Sequence, residues 1–261
     1  MTLEKNLHET INKCDYTLQC FLGNPQSYVH RKLTKEDREK TIRICEEYDR
    51  SVYVHTCYLA NLAHEDNDLR NKSINYLRSL TTEVKGLPVS SVLHIGKRGT
   101  IQRVVNGLED LCLTRTTSHR TPYPILLENG AGQGTEIGIN SEEIRKIYEG
   151  LNKTNVGICI DTAHAFASGM CSFENHESII KLLDDLPIRP SMFHVNDSKV
   201  DFGQRKDRHE NLKQGYIWSH NDESLISLVK ICKEYEIDMI CETPSDSTPI
   251  LQDIACNYIK T

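Results

Sequence analysis

Six residues of metal-ligand type stand at the ends of short apolar runs in this 261-residue chain: His55, His94, Glu128, Asp161, His194 and Glu242. They follow one another at intervals of 39, 34, 33, 33 and 48 residues. Any one of them alone reads as a cap on a loop or helix. Six in succession, none of them Ser, Asn or Lys, point to a shared set of imidazole and carboxylate donors. Such donors suit zinc, manganese or iron, and the lack of thiolates at these positions argues against a structural Cys-type zinc site. Three more candidates lie just beyond the runs: His164 in "DTAHAF", and Asp207 and His209 in "DRH". The last two share a face if their segment is extended. Nine donors exceed the needs of one four- or five-coordinate ion, so two or three metals fit better. A metal cluster suggests phosphate-ester hydrolysis, in which two ions clamp the attacking and leaving oxygens.

These residues need elements that bring them together across nearly two hundred positions. Short β-type runs recur at 17–23, 51–55, 89–94, 124–128, 156–161, 191–195 and 238–242. Helical spacing fills segments between them, as in "TKEDREKTIRICEEY", "SINYLRSLTTEVKGL", "SEEIRKIYEGLN", "ESIIKLLDDL" and "ESLISLVKICKEYEI". Alternating strands and helices imply parallel β/α units, and in a parallel barrel the C-terminal strand ends gather on one rim. The ligand-rich stretch "FHVNDSKVDFGQRKDRH" (193–209) reads as a strand end followed by a long loop. No internal sequence repeat is evident, and the length suits one barrel of roughly 250 residues. The expectation is therefore a single domain over 1–261.

Hydrophobic residues make up 38% of the chain and charged residues 26%, an ordinary globular composition. The N-terminus lacks the apolar core of a signal peptide, and no apolar run is long enough to span a bilayer. A soluble, intracellular protein with no membrane partner is expected, in cytoplasm or nucleus, or in a virion or viral factory for a viral source. The net charge of −6 disfavours non-specific polyanion binding by the bare polypeptide, an objection that bound divalent metals weaken. Ten cysteines include no C-x-x-C pair. Cys159 and Cys241 lie in apolar strands as reduced core residues, while Cys14 and Cys20 flank a turn and leave a disulfide open.

On these residues the chain resembles the endonuclease IV family of apurinic/apyrimidinic endonucleases, zinc-dependent TIM-barrel enzymes of base-excision repair in the xylose-isomerase-like superfamily. The resemblance is carried by "HTCYLANLA" (55–63), "GICIDTAHAFASG" (157–169) and "FHVNDSKVDFGQRKDRH" (193–209), with "LLENGAGQGTEIG" (126–138) and "CETP" (241–244) in support. It runs from about residue 17 to the C-terminus.

The resemblance implies a TIM (β/α)8-type barrel and three zinc ions, with manganese as the alternative in one or more sites. His55 and His94 would hold one zinc, with Glu128 bridging to a second completed by Asp161, His194 and Glu242. His164, Asp207 and His209 would hold the third. The implied reaction is hydrolysis of duplex DNA 5′ to an abasic site by metal-activated water, leaving a 3′-hydroxyl, with 3′-phosphodiesterase or exonuclease trimming as side activities. Glu242 would orient or deprotonate the water, Glu128 would be the other catalytic carboxylate, and the abasic nucleotide would be extruded into the pocket. Tyr58 and Leu59 match the loop that probes the minor groove, and Arg208 a phosphate-contacting position. Asn129 and Gln133 are weaker assignments, and a monomer is expected.

Several positions depart from the pattern. Ala163 stands where the second motif has Cys, Ala60 replaces a larger apolar residue, and Gln204 a small one. Gln26, in "GNPQSY", occupies a DNA-entering position where relatives carry arginine, so grip there is weakened. The N-terminus reads as a helix with no strand before it, and seven strands were found rather than eight. An incomplete barrel is expected, its first strand missing or replaced. The alternative enzyme is a sugar isomerase or epimerase of the xylose-isomerase type, which has no need of His164 and the "DRH" set. A damage-binding protein without catalysis is disfavoured by the intact ligands.

Overall fold

The computed structural model describes residues 17–47, 51–116, 118 and 121–258. The chain divides into two compact units, Met1–Leu127 with Gly150–Gly157, and Glu128–Glu149 with Ile158–Thr261.

The first unit is built on parallel strands β1 (Leu18–Cys20), β2 (Val52–His55), β3 (Val89–His94) and β4 (Ile125–Glu128), in that order, with β4 crossing into the second unit at its last residue. The register sets Val54 opposite Ser91 and His55 opposite Val92. Every residue of β2 is buried, and all of β3 except His94, as expected of strands covered on both faces. Helices α1 (Lys35–Glu47), α2 (Asn67–Glu83) and α3 (Ile101–Leu111) cover them. Asp66 caps α2 by accepting from the amides of Asp68 and Leu69, and Ile74, Leu77 and Leu80 line its buried face. Leu77 and Leu80 are wholly inaccessible, worth about 1.5–3 kcal/mol each relative to exposure. The Arg38 guanidinium donates to the Glu83 and Lys85 carbonyls, tying α1 to the end of α2.

The second unit holds β5 (Gly157–Asp161, whose first residue belongs to the first unit), β6 (Met192–His194) and β9 (Asp238–Ile240), parallel in the order β5, β6, β9. Asp161 lies opposite His194 in this register. Helices α4 (Ser141–Gly150, whose last residue belongs to the first unit), α5 (Thr162–Ser168), α6 (His176–Asp185), α7 (Asp222–Glu234) and α8 (Thr248–Tyr258) accompany them. A capping box between Asn175 and Ser178 starts α6. Trp218, fully buried, donates its indole N–H to the Asn196 carbonyl, and Asp197 accepts from the amides of Gly215 and Ile217. These bonds fasten the chain that follows the ligand-rich stretch.

Seven barrel-type strands are therefore found among the described residues, and none of them precedes β1. The helix expected over residues 1–14 lies outside the described residues. The expected long loop after His194 spans 199–208 and is framed by an antiparallel ribbon of β7 (Asp197–Ser198) and β8 (His209–Glu210), pairing Ser198 with His209. The last strand also stops at Ile240, so Glu242 stands beyond it, and Cys241 is half-buried rather than a core residue. Cys20 is a buried free thiol, and Cys14 lies outside the described residues. Among the described residues no helix is long and apolar enough to cross a membrane.

Candidate active site

In the first unit, His55 ends β2 and His94 ends β3, and their ring centroids are 5.2 Å apart. The Nδ1 of His55 lies 2.8 Å from the Thr56 carbonyl, which places the proton on Nδ1 and the lone pair on Nε2. Phe21 packs on His55 at 5.0 Å. Tyr58 stands 5.6 Å from His55 and 6.0 Å from His94, yet its side chain and that of Leu59 are exposed at 55% and 43%. Core packing is thus excluded as their role. Loop 23–28 docks here: the Tyr58 amide donates to the Pro25 carbonyl and the Tyr28 hydroxyl to the Leu59 carbonyl. Gln26 is exposed at its tip, its amide donating to the Asn24 side chain.

In the second unit seven of the expected ligands converge. His194 Nδ1 lies 3.1 Å from Glu128, 3.0 Å from Glu242 and 3.9 Å from Asp161. Glu128, Asp161 and His194 are buried, so three carboxylates crowd one imidazole in a space that strongly disfavours uncompensated negative charge. Burial opposes a positive charge on His194, but Cys159, Glu242 and Glu128 outweigh it and raise its pKa well above the ordinary value.

Beside this group, His164 Nε2 and His209 Nε2 approach to 3.4 Å, and Asp207 lies 3.3 Å from each. Asp161 Oδ2 is 3.6 Å from His209, so Asp161 touches both groups rather than only the one expected. Asp161 also caps α5, accepting from the His164 amide, which fixes the offset between those two ligands. Each imidazole turns its Nδ1 to a carbonyl, His164 to Asn129 and His209 to Glu242. With both rings neutral, that leaves two Nε2 lone pairs face to face, placed to share a cation. Two nitrogens held about 2.05 Å from a tetrahedral ion are roughly 3.4 Å apart. The donors therefore fit a divalent metal.

Two residues hold the ligands themselves. Asn196 donates to Asp161 Oδ2 at 2.6 Å and accepts from the Glu242 amide at 2.8 Å. Asn129 accepts from the Asp161 amide at 2.7 Å. Asn129 was only weakly singled out by sequence and Asn196 was missed, although its place two residues after His194 in a buried run was a usable signal. Gln133 reaches the Asp207 amide. Arg208 is exposed, its guanidinium donating to the Asp207 carbonyl.

Parallel β/α units with buried imidazole–carboxylate clusters at the strand ends define a TIM-barrel enzyme of metal-dependent type. Residues 14–258 match the xylose isomerase-like TIM barrel. The chain is 31% identical over 265 residues to probable endonuclease 4 of Petrotoga mobilis, covering 94% of this chain and 89% of that protein. It is 30% identical to apurinic-apyrimidinic endonuclease 1 of Plasmodium falciparum, covering 86% of this chain and 39% of that one. The crystal structure of endonuclease IV from Thermus thermophilus superposes with a TM-score of 0.74 at 26% identity, covering 91% and 88% of the two chains. The chain belongs to the endonuclease IV family and is a nuclease.

Proposed function

We propose that this protein incises duplex DNA 5′ to abasic sites in base-excision repair, acting inside the cell as a monomer with one catalytic domain. Three zinc ions are the proposed cofactors, with manganese able to replace zinc in one or more sites. The observation that carries the reading is the second donor cluster of His164, Asp207 and His209 beside that of Glu128, Asp161, His194 and Glu242. A sugar isomerase has no use for it. His55 and His94 would hold the remaining metal.

Bound divalent metal lowers the pKa of water toward neutrality and offsets phosphate charge. Glu242, less buried than Glu128 and held at its backbone by Asn196, orients the attacking water and takes its proton. Water oxygen bonds to phosphorus as the P–O3′ bond breaks, and the departing 3′ oxygen takes a proton from solvent to leave as a 3′-hydroxyl, with the phosphate remaining on the abasic residue's 5′ oxygen. Glu128, buried against His194 and His164, fixes both rings. Arg208 meets the phosphate, while Tyr58 and Leu59 enter the minor groove beside an extruded sugar, whose extrusion is inexpensive because no base is unstacked. Gln26 approaches the duplex without charge, so this contact adds little salt-dependent grip. Trimming of blocked 3′ ends follows from the same chemistry at a strand terminus.

The test is incubation with a 5′-labelled duplex containing one tetrahydrofuran abasic analogue, followed by polymerase extension of the product. Extendable incision 5′ to the analogue is expected. Turnover of a ketose or aldose without incision would overturn the reading.

A further inference from the structure

We propose that Arg205 is a second phosphate-gripping residue, holding a DNA linkage adjacent to the one met by Arg208; this rests on the abasic-site reading above. Arg205 lies in the excursion between β7 and β8, where its backbone adopts a left-handed φ of 53°, uncommon for a long side chain. The surroundings enforce that conformation. The Gly203 amide donates to the Phe166 carbonyl at 3.1 Å and the Arg205 amide to the Ala167 carbonyl at 2.8 Å, pinning the loop to α5. Phe202 packs edge-on against Phe166 at 5.4 Å.

The side chain is aimed as well. Its stem crosses the backbone of Gly132: a Cβ there would lie 3.1 Å from Arg205 Cγ and 3.4 Å from its Cβ and Cδ, and Gly132 itself has a φ of +83°. Gln133, next in the chain, holds the Asp207 amide. The loop 130–134 is thus a bed for the 203–207 segment. Strain kept in an exposed loop by several independent anchors is a feature of functional sites.

The guanidinium carried on this mount is exposed and has no carboxylate partner among the described residues. Arg205 is three residues from Arg208, a span of at most about 10 Å, which is compatible with the two meeting neighbouring linkages of one strand. In a chain of net charge −6, a cation two residues from the candidate ligand Asp207 and without a carboxylate partner among the described residues is matched to a polyanion. Arginine suits phosphate through its planar fork of donors.

The test measures dissociation constants of metal-loaded protein for a tetrahydrofuran duplex across a salt series, for wild type, Arg205→Ala and Arg205→Gln. Thermal unfolding and metal content establish that each variant is folded and loaded. Both variants should bind roughly three- to ten-fold more weakly near 0.1 M salt, with the slope of log K against log salt shallower by about one. Replacing the flanking linkages one at a time by methylphosphonate should reveal one at which wild type and variants bind alike. Equal affinity and slope for wild type and both variants on the unmodified duplex would overturn the inference while leaving the abasic-site reading intact. A difference that persists at every neutralised linkage would overturn it equally. Wild-type protein that neither binds nor incises the duplex would overturn both.

Discussion

The Nε2 atoms of His164 and His209 face each other at 3.4 Å, while the opposite nitrogen of each ring is turned to a backbone carbonyl. When neutral, two imidazoles held in this way present two lone pairs to one point, where a bound cation can be shared between them. His209→Ala should therefore lower the metal content of purified protein by about one ion per chain. Elemental analysis without chelator checks this, and an unchanged content would count against a metal between the two rings.

Asn196 joins two ligands that belong to different elements, donating to Asp161 and accepting from the Glu242 amide. Asn196→Ala should weaken metal binding by about 10- to 100-fold, the usual cost of removing a residue that orients ligands. Competition with a chromogenic chelator measures it.

Glu242 and Arg208 should separate chemistry from grip. Glu242→Gln keeps the shape of the side chain but removes the proton acceptor, and should slow single-turnover incision on the order of 10²- to 10⁴-fold with a smaller effect on duplex affinity. Arg208→Ala should chiefly weaken binding and make its salt slope shallower by about one.

Asp37 gives a pH-dependent stability. Burial raises its pKa, but the Thr34 amide and hydroxyl and the Arg31 guanidinium outweigh that, so its folded pKa is lowered. A depressed carboxylate contributes stability fully above its unfolded value of about 4 and loses it as pH falls through the folded value. Asp37→Asn should cost about 1–2 kcal/mol near neutral pH, and the gap to wild type should close on acidification below the folded pKa. Urea unfolding at several pH values reads this difference.

What was legible in the sequence divides along physical lines. His55, His94, Glu128, Asp161 and His194 were readable because each ends a strand with a residue type that strands otherwise avoid, and strand ends are marked by periodicity. Helix α3 was missed although its pattern is present: Thr100 caps it and Val104, Val105 and Leu108 form its buried face. The β7–β8 ribbon was hidden because each strand is two residues long, and its pairing depends on anchors such as Asp197 and Trp218. The roles of Asn129 and Asn196 were hidden for another reason: an amide bonds whatever faces it, so only the assembled site distinguishes a ligand-holding asparagine from a turn residue.

Metal-dependent cleavage at abasic sites is tested most directly by incubating the purified protein with a tetrahydrofuran-containing duplex, with and without chelator, and with zinc or manganese restored. A single cut 5′ to the analogue with an extendable 3′ end is expected, lost on chelation and recovered on addition of metal. Intact duplex under every metal condition, from protein that is folded and metal-loaded, would contradict it.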